Sequence, residues 1–266
     1  MTSLSCALML DLDDAVDFPG NEGSVFGRPL SSYPLMAART SAHVRRIYVL
    51  TGSPAVKSAA LQYDAVIIDP PKIKPSLPGF LQHGYNAIKK ELQREDTGLE
   101  LLAVLLANAP AVTKDMIDTG IEALLDRPEL DSALSVAPLE RWSPLLTKRQ
   151  SEDGLLTPFY PAPAGNAIPK AGQGGALPGI EFAAWYPTWG VTVLRPKHLE
   201  TPSGDPPLPC LGRNILPLKQ WGGGPIDYQW QVPCLEYWLK KNGIVDASAH
   251  LERKPKPQLA PKTDRR

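Results

Sequence analysis

The chain has 266 residues, with 28 Lys and Arg balanced by 28 Asp and Glu. A formal net charge of zero excludes a bulk electrostatic partner such as DNA or an anionic bilayer. The 29 prolines are about twice ordinary usage, yet 43% of residues are hydrophobic and fall in organised runs, so the composition is that of a folded α/β protein with stiff connections.

The three cysteines, Cys6, Cys210 and Cys234, are widely spaced and form no CxxC pair, and the four histidines are scattered. That pattern is neither a disulfide framework nor a zinc site, nor does it suggest a triad. Met1 to Leu10 is apolar but short, has no basic leader and runs into acidic residues. It does not read as a signal peptide, and the expected compartment is the cytoplasm. From Glu252 to Arg266, six Lys and Arg stand against two acids and three prolines, and residues 251–266 read as a disordered basic tail.

Strand and helix signals alternate over the first 140 residues or so. Leu4–Leu10 reads as a strand, followed by an acidic, glycine-containing loop to Gly27. Helical spacing covers Leu30–Ala42, and Arg46–Leu50 reads as a strand ending in Thr51-Gly52-Ser53-Pro54. A short helix at Ala55–Leu61 and a strand at Ala65–Ile68 follow. The amphipathic stretch Gly79–Arg94 places Leu81, Tyr85, Ile88 and Leu92 on one side. Leu99–Ala107 is nearly all apolar, as a central parallel strand buried on both faces should be. Thr113 is positioned to cap the next helix, and Ser132–Val136 is the strand after it. Such alternation implies a mostly parallel sheet in three layers, with ligands at the carboxyl ends of its strands.

Past Pro138 the pattern changes. Leu145–Arg149 and Leu155–Tyr160 read as a hairpin around Glu152-Asp153-Gly154, and 161–180 as a long loop or flap. Trp189–Leu194 is another strand, 200–217 is proline-rich connection, and a helix near Cys234–Lys241 is ended by Asn242-Gly243. The expected organisation is one domain over residues 1–250, with an excursion at about 139–190.

Val104–Pro138, reading VLLANAPAVTKDMIDTGIEALLDRPELDSALSVAP, resembles the strand, nucleotide-contacting loop, helix and "DS-hhSV" strand of the cytidylyltransferase family that includes the acylneuraminate cytidylyltransferases. Gly27-Arg28-Pro29-Leu30 and Arg46-Ile47-Tyr48-Val49-Leu50-Thr51 resemble the family's "G-K-P-L-I" and "R-V-hV-S-T-D" segments. Pro225-Ile226-Asp227-Tyr228 resembles its late "I-D-I-D" segment. The resemblance implies a Rossmann-like nucleotidyltransferase fold with a β-hairpin dimerisation excursion. It also implies transfer of CMP from CTP, with Mg²⁺, to a sugar-acid or phosphonate-type acceptor. Under it, Asp227 and Gln229 would hold the metal, while Arg28 and Lys219 would supply positive charge. Asp11, Asp13, Asn21 and Asn108 would face the nucleotide, and Arg141, with Trp142 and Lys148, the acceptor. The partner is a second copy or an active paralogue.

The first loop departs from the family pattern A-R-x-G-S-K-x-x-P-x-K-N. It reads Leu10-Asp11-Leu12-Asp13-Asp14-Ala15-Val16-Asp17-Phe18-Pro19-Gly20-Asn21, with Leu12 at the family's Arg, Asp13 and Asp14 in its glycine region, Ala15 at its Ser and Val16 at its Lys, so that acids crowd a loop where the family carries positive charge. Each like-charge pair at about 4 Å costs on the order of 4 kcal/mol before screening at an effective dielectric near 20. Gly52 and Gln229 also replace acids. Two other readings therefore stand beside the enzyme: a non-catalytic copy that partners an active paralogue, and Mg²⁺-dependent phosphatase-like chemistry using Asp11 and Asp13.

Overall fold

The computed structural model describes residues 2–12, 16–18, 23–138, 147–159 and 185–244. The strands are β1 (Thr2–Leu10), β2 (Ser24–Val25), β3 (Arg28–Pro29), β4 (Val44–Leu50), β5 (Val66–Ile68) and β6 (Thr97–Leu106), then β7 (Ser132–Pro138), β8 (Lys148–Gln150), β9 (Leu156–Pro158), β10 (Trp185–Leu194) and β11 (Ile215–Lys219). The helices are α1 (Ser32–Thr40), α2 (Pro54–Leu61), α3 (Leu77–Arg94), α4 (Lys114–Asp126), α5 (Lys197–Glu200) and α6 (Val232–Lys241). Seven strands form one sheet in the order β11-β7-β10-β6-β1-β4-β5, in which β10 alone runs antiparallel to its neighbours.

Alternation along β1 builds the three layers. Ala7 and Met9 face the cluster filled by Leu35 of α1, Val56 of α2 and Ile117, Ile121 and Leu124 of α4. Cys6, Leu8 and Leu10 point to the opposite face, where Phe80, Tyr85, Ile88 and Leu92 of α3 cover them. Both faces of β1 and β6 are thus dry, which is why these strands read as unbroken apolar runs. Ser53, Ser76 and Thr113 cap α2, α3 and α4 by accepting N–H bonds from Val56, Gly79 and Met116. A third apolar cluster, around Phe18, Tyr33, Ile226, Leu235 and Trp238, lies off the sheet and joins the first loop to α6.

Three features differ from the sequence reading. Ile215–Lys219, which begins within the stretch 200–217 expected as connection, is a strand parallel to β7. It carries Pro217, which an edge strand tolerates because one side of it donates to no ladder. Strand β10 begins at Trp185, before the expected Trp189, and its pairing with β7 shifts between Pro187 and Thr192, where Trp189 has φ +55°. Among the described residues the hairpin pairs Lys148 with Pro158 and Gln150 with Leu156, one residue further along its first arm than the expected end at Arg149. The flap at 161–180, the tail at 251–266 and the candidates Asp13, Asn21, Arg141 and Trp142 lie outside the described residues. No helix among the described residues is long and apolar enough to cross a membrane.

Candidate functional site

The chain leaves β1 toward β4 and β5 on one side and returns through α3 to β6 on the other. The loops after β1 and β6 therefore diverge at the carboxyl edge, the crevice where open α/β sheets bind ligands. Asp11 follows β1 and Asn108 follows β6, and both are buried, at 7% and 5% exposure.

Asp11 is held by the sheet edge. Its N–H donates to the Leu50 carbonyl at 3.0 Å. Its carboxylate accepts from the Thr51 hydroxyl, which itself accepts from the Ser53 N–H at 3.0 Å. The ends of β1 and β4 are thus knitted by a side-chain bridge.

Asp227 sits at the meeting point of three segments. Its Oδ1 accepts from Asn108 Nδ2 at 3.1 Å, and the preceding Ile226 N–H donates to the Asn108 carbonyl at 2.8 Å. Its own carbonyl accepts from the N–H groups of Val16, Asp17 and Phe18 at 3.0, 3.1 and 3.4 Å. Asp17 Oδ1 in turn accepts from the Gln229 N–H at 2.7 Å. Residues 16–18 of the first loop are therefore latched onto the Asp227 turn, and the Phe18 ring, 8% exposed, is driven into the third apolar cluster.

Gln229, the expected second metal residue, is exposed on this turn, which Gln231 shapes. Gln231 Oε1 accepts from the N–H groups of Asp227 and Tyr228 at 2.7 and 2.8 Å, and its Nε2 donates to the Pro225 carbonyl at 3.2 Å. Sequence reasoning missed Gln231: it forms a reciprocal cap with Tyr228, but Tyr is not among the Ser, Thr, Asp and Asn that announce such a start in sequence. The approach, Gly222-Gly223-Gly224-Pro225, demands glycine at two places, since φ is +107° at Gly223 and +149° at Gly224.

Of the candidate cations, Arg28 lies on β3, just past the turn at Phe26 and Gly27, where φ is +49° and +71°. It is half-buried, and its guanidinium makes no hydrogen bond or ion pair among the described residues. Lys219 ends β11, is exposed, and its Nζ lies 4.8 Å from the centre of the Trp185 ring. Lys148, on the acceptor side in the sequence reading, is exposed on β8.

Among the described residues no three His, Cys, Asp or Glu converge as a metal cage. A Mg²⁺ ion held mainly by substrate phosphates needs only one or two carboxylates, and the Asp227 carboxylate beside the Asn108 amide meets that requirement.

The mostly parallel seven-stranded sheet with helices on both faces is that of the cytidylyltransferase fold. The fold is shared with a CMP:2-keto-3-deoxy-manno-octonic acid synthetase solved in complex with CTP, at 16% identity and TM-score 0.59, covering 90% of this chain and 100% of that one. It is shared also with the 4-diphosphocytidyl-2C-methyl-D-erythritol synthase of Anaerococcus prevotii, at 11% identity and TM-score 0.59, covering 90% and 96%. A second 4-diphosphocytidyl-2C-methyl-D-erythritol synthase matches at 9% identity and TM-score 0.56, covering 90% and 100%. No family model and no curated protein matches the sequence.

Proposed function

We propose that the chain is a nucleotidyltransferase of the cytidylyltransferase kind, moving CMP from CTP to a sugar-acid or phosphonate-type acceptor. The observation that carries this reading is the Asn108–Asp227 pair at the crevice of a cytidylyltransferase fold. An acceptor oxygen attacks the α-phosphorus, the α–β bridging bond breaks, and pyrophosphate leaves. Asp227, with Gln229 or the Asn108 amide oxygen, would hold Mg²⁺, which when bound would neutralise charge on the triphosphate. Asn108 orients the Asp227 carboxylate through its amide N–H, while Arg28 and Lys219 attract and align the anionic substrate. Asp13 and Asn21 belong to the nucleotide side and Arg141 to the acceptor side.

Residues 1–250 form one domain in this reading, and the excursion at 139–190 carries a dimer contact. Support for that contact is the exposure of Leu155, Leu156 and Phe159 on the hairpin, at 64%, 72% and 51%. A second reading, a non-catalytic partner of an active paralogue, is favoured by the acids in the first loop. Phosphatase-like use of Asp11 has less support, because that carboxylate is buried and accepts from Thr51.

Calorimetry with CTP and Mg²⁺, followed by pyrophosphate release over candidate acceptors, tests the proposal. CTP binding with turnover is the expected result. Binding without turnover alone, but turnover with a co-expressed paralogue, assigns the partner role. Absence of CTP binding at millimolar concentration overturns the enzyme reading, and phosphate release abolished by Asp11→Asn establishes the phosphatase.

A further inference from the structure

At the edge of the sheet opposite the crevice, where β10 ends and β7 begins, three side chains meet that the proposed transfer does not use. Asp131 precedes β7, His198 lies on α5, and Ser203 follows in the next loop. His198 Nε2 is 2.9 Å from Asp131 Oδ1, and Ser203 Oγ is 3.2 Å from His198 Nδ1. Asp131 and His198 are 67 residues apart, so no motif announces them. A hydroxyl within hydrogen-bond reach of an imidazole that a carboxylate orients is the arrangement of an activated nucleophile.

Each part is held in place. Asp131 Oδ2 accepts from the Arg213 and Asn214 N–H groups at 2.9 and 3.0 Å, which leaves Oδ1 for the ring. By accepting from Nε2–H, that carboxylate selects the tautomer whose Nδ1 lone pair meets Ser203. The nitrogens are exchanged relative to the serine-protease arrangement, yet the division of labour is the same, one bearing the proton toward the carboxylate and the other staying basic. His198 is buried, whereas Ser203 is exposed and open to a substrate. Two glycines bring the loop in: a Cβ on Gly204 would lie 2.4 Å from the Gly212 carbonyl oxygen, and one on Gly212 would lie 2.3 Å from Asp131 Cβ. The Gly204 N–H donates to the Pro209 carbonyl at 2.9 Å, while the Ser203 N–H donates to no acceptor among the described residues and remains beside the hydroxyl as an unused donor. Pro202, next to Ser203, also lines a cleft of about 120 Å³ whose walls include Leu81, Leu199 and Leu208 and, among the described residues, no charged side chain.

We propose that Ser203, His198 and Asp131 form a second catalytic site, which hydrolyses small uncharged carboxylic esters whose short acyl chain rests in the cleft beside Pro202. Ser203 Oγ attacks the carbonyl carbon as its proton passes to His198 Nδ1. The bond to the alcohol oxygen breaks, and the alcohol leaves with that proton. Water then attacks the acyl-serine and gives a proton to Nδ1, the bond from carbon to Oγ breaks, the acid departs, and Ser203 recovers the proton. Asp131 stabilises the imidazolium in both halves of the cycle.

The full chain is treated with an alkyl fluorophosphonate, whose phosphorus bonds to an activated serine oxygen with loss of fluoride, and the labelled peptide is located by mass spectrometry. Stoichiometric labelling of Ser203 is expected, together with turnover of p-nitrophenyl butyrate. Ser203→Ala, at an exposed position, should keep the native circular dichroism and lower that turnover at least about a hundred-fold. His198→Gln, whose amide can still donate to Asp131, should lose the label. A cluster that only holds the loop would leave wild-type Ser203 unlabelled, and that result overturns the proposal. So does labelling of Ser151 to the same extent as Ser203, or turnover that persists in Ser203→Ala and thus belongs to another nucleophile such as the exposed Cys234.

Discussion

Gly23→Ala should unlatch the first loop from the Asp227 turn. A Cβ at Gly23 would lie 2.1 Å from Cε1, 2.4 Å from Cζ and 2.9 Å from Cδ1 of Phe18. These are ring atoms along one edge, so no rotation of a flexible end relieves the overlap and the ring must leave its site. Phe18 is 8% exposed, and returning it to water costs about 1.5–3 kcal/mol. At about 1.4 kcal/mol per factor of ten, the open loop becomes roughly 10- to 150-fold more populated. The effect is local, because the ring packs in the cluster with Leu235 and Trp238 and not in the sheet core. Amide exchange reads it directly. The Val16, Asp17 and Phe18 N–H groups all donate to the Asp227 carbonyl and should lose protection by that factor, while amides of β1 and β6 hold theirs. Adding Gly23→Ala to Phe18→Ala should cost little more, because the two changes act on one contact. Native protection at residues 16–18 in Gly23→Ala would refute the latch.

Three other outcomes follow from the geometry. Asp227→Asn should lower Mg²⁺-dependent CTP turnover roughly a hundred-fold in steady-state assays while leaving the unfolding midpoint close to native, since an amide oxygen can still accept from Asn108. At the opposite edge of the sheet, burial tends to raise the Asp131 pKa. The N–H groups of Asn214 and Arg213 and the His198 ring outweigh burial and hold it below the usual carboxylate value, with Lys197 Nζ 3.9 Å away. Its stabilisation is therefore complete above the unfolded value of about 3.9 and is lost as the pH falls through the lowered folded value. Urea titrations should show Asp131→Asn about 1–3 kcal/mol less stable at pH 7, with the gap closing below about pH 4. Burial pushes the Cys6 thiol up to about 12, whereas Cys234 is exposed, so a thiol reagent at pH 8 should modify Cys234 quickly and Cys6 only after denaturation.

What the sequence determined by itself is the part governed by periodicity and local chemistry. The runs Leu4–Leu10 and Leu99–Ala107 had to be buried strands, because only burial on both faces accommodates such apolar stretches. Ser53, Ser76 and Thr113 stand where helices begin because their hydroxyls accept N–H bonds that the first turns leave open. Motif order was enough to suggest the cytidylyltransferase fold. Tertiary structure decided what depends on distant neighbours. That β11 is a strand at all depends on the edge of β7, because Pro217 and short length hide it locally. The acids of the first loop looked like uncompensated charge beside a phosphate site. In the fold Asp11 is taken up by Thr51 and Asp17 by the Gln229 N–H, contacts spanning 40 and 212 residues of chain. Spacing along the chain carries no trace of such pairings, because they exist only once the sheet edge and the α6 cluster bring distant segments of the chain together.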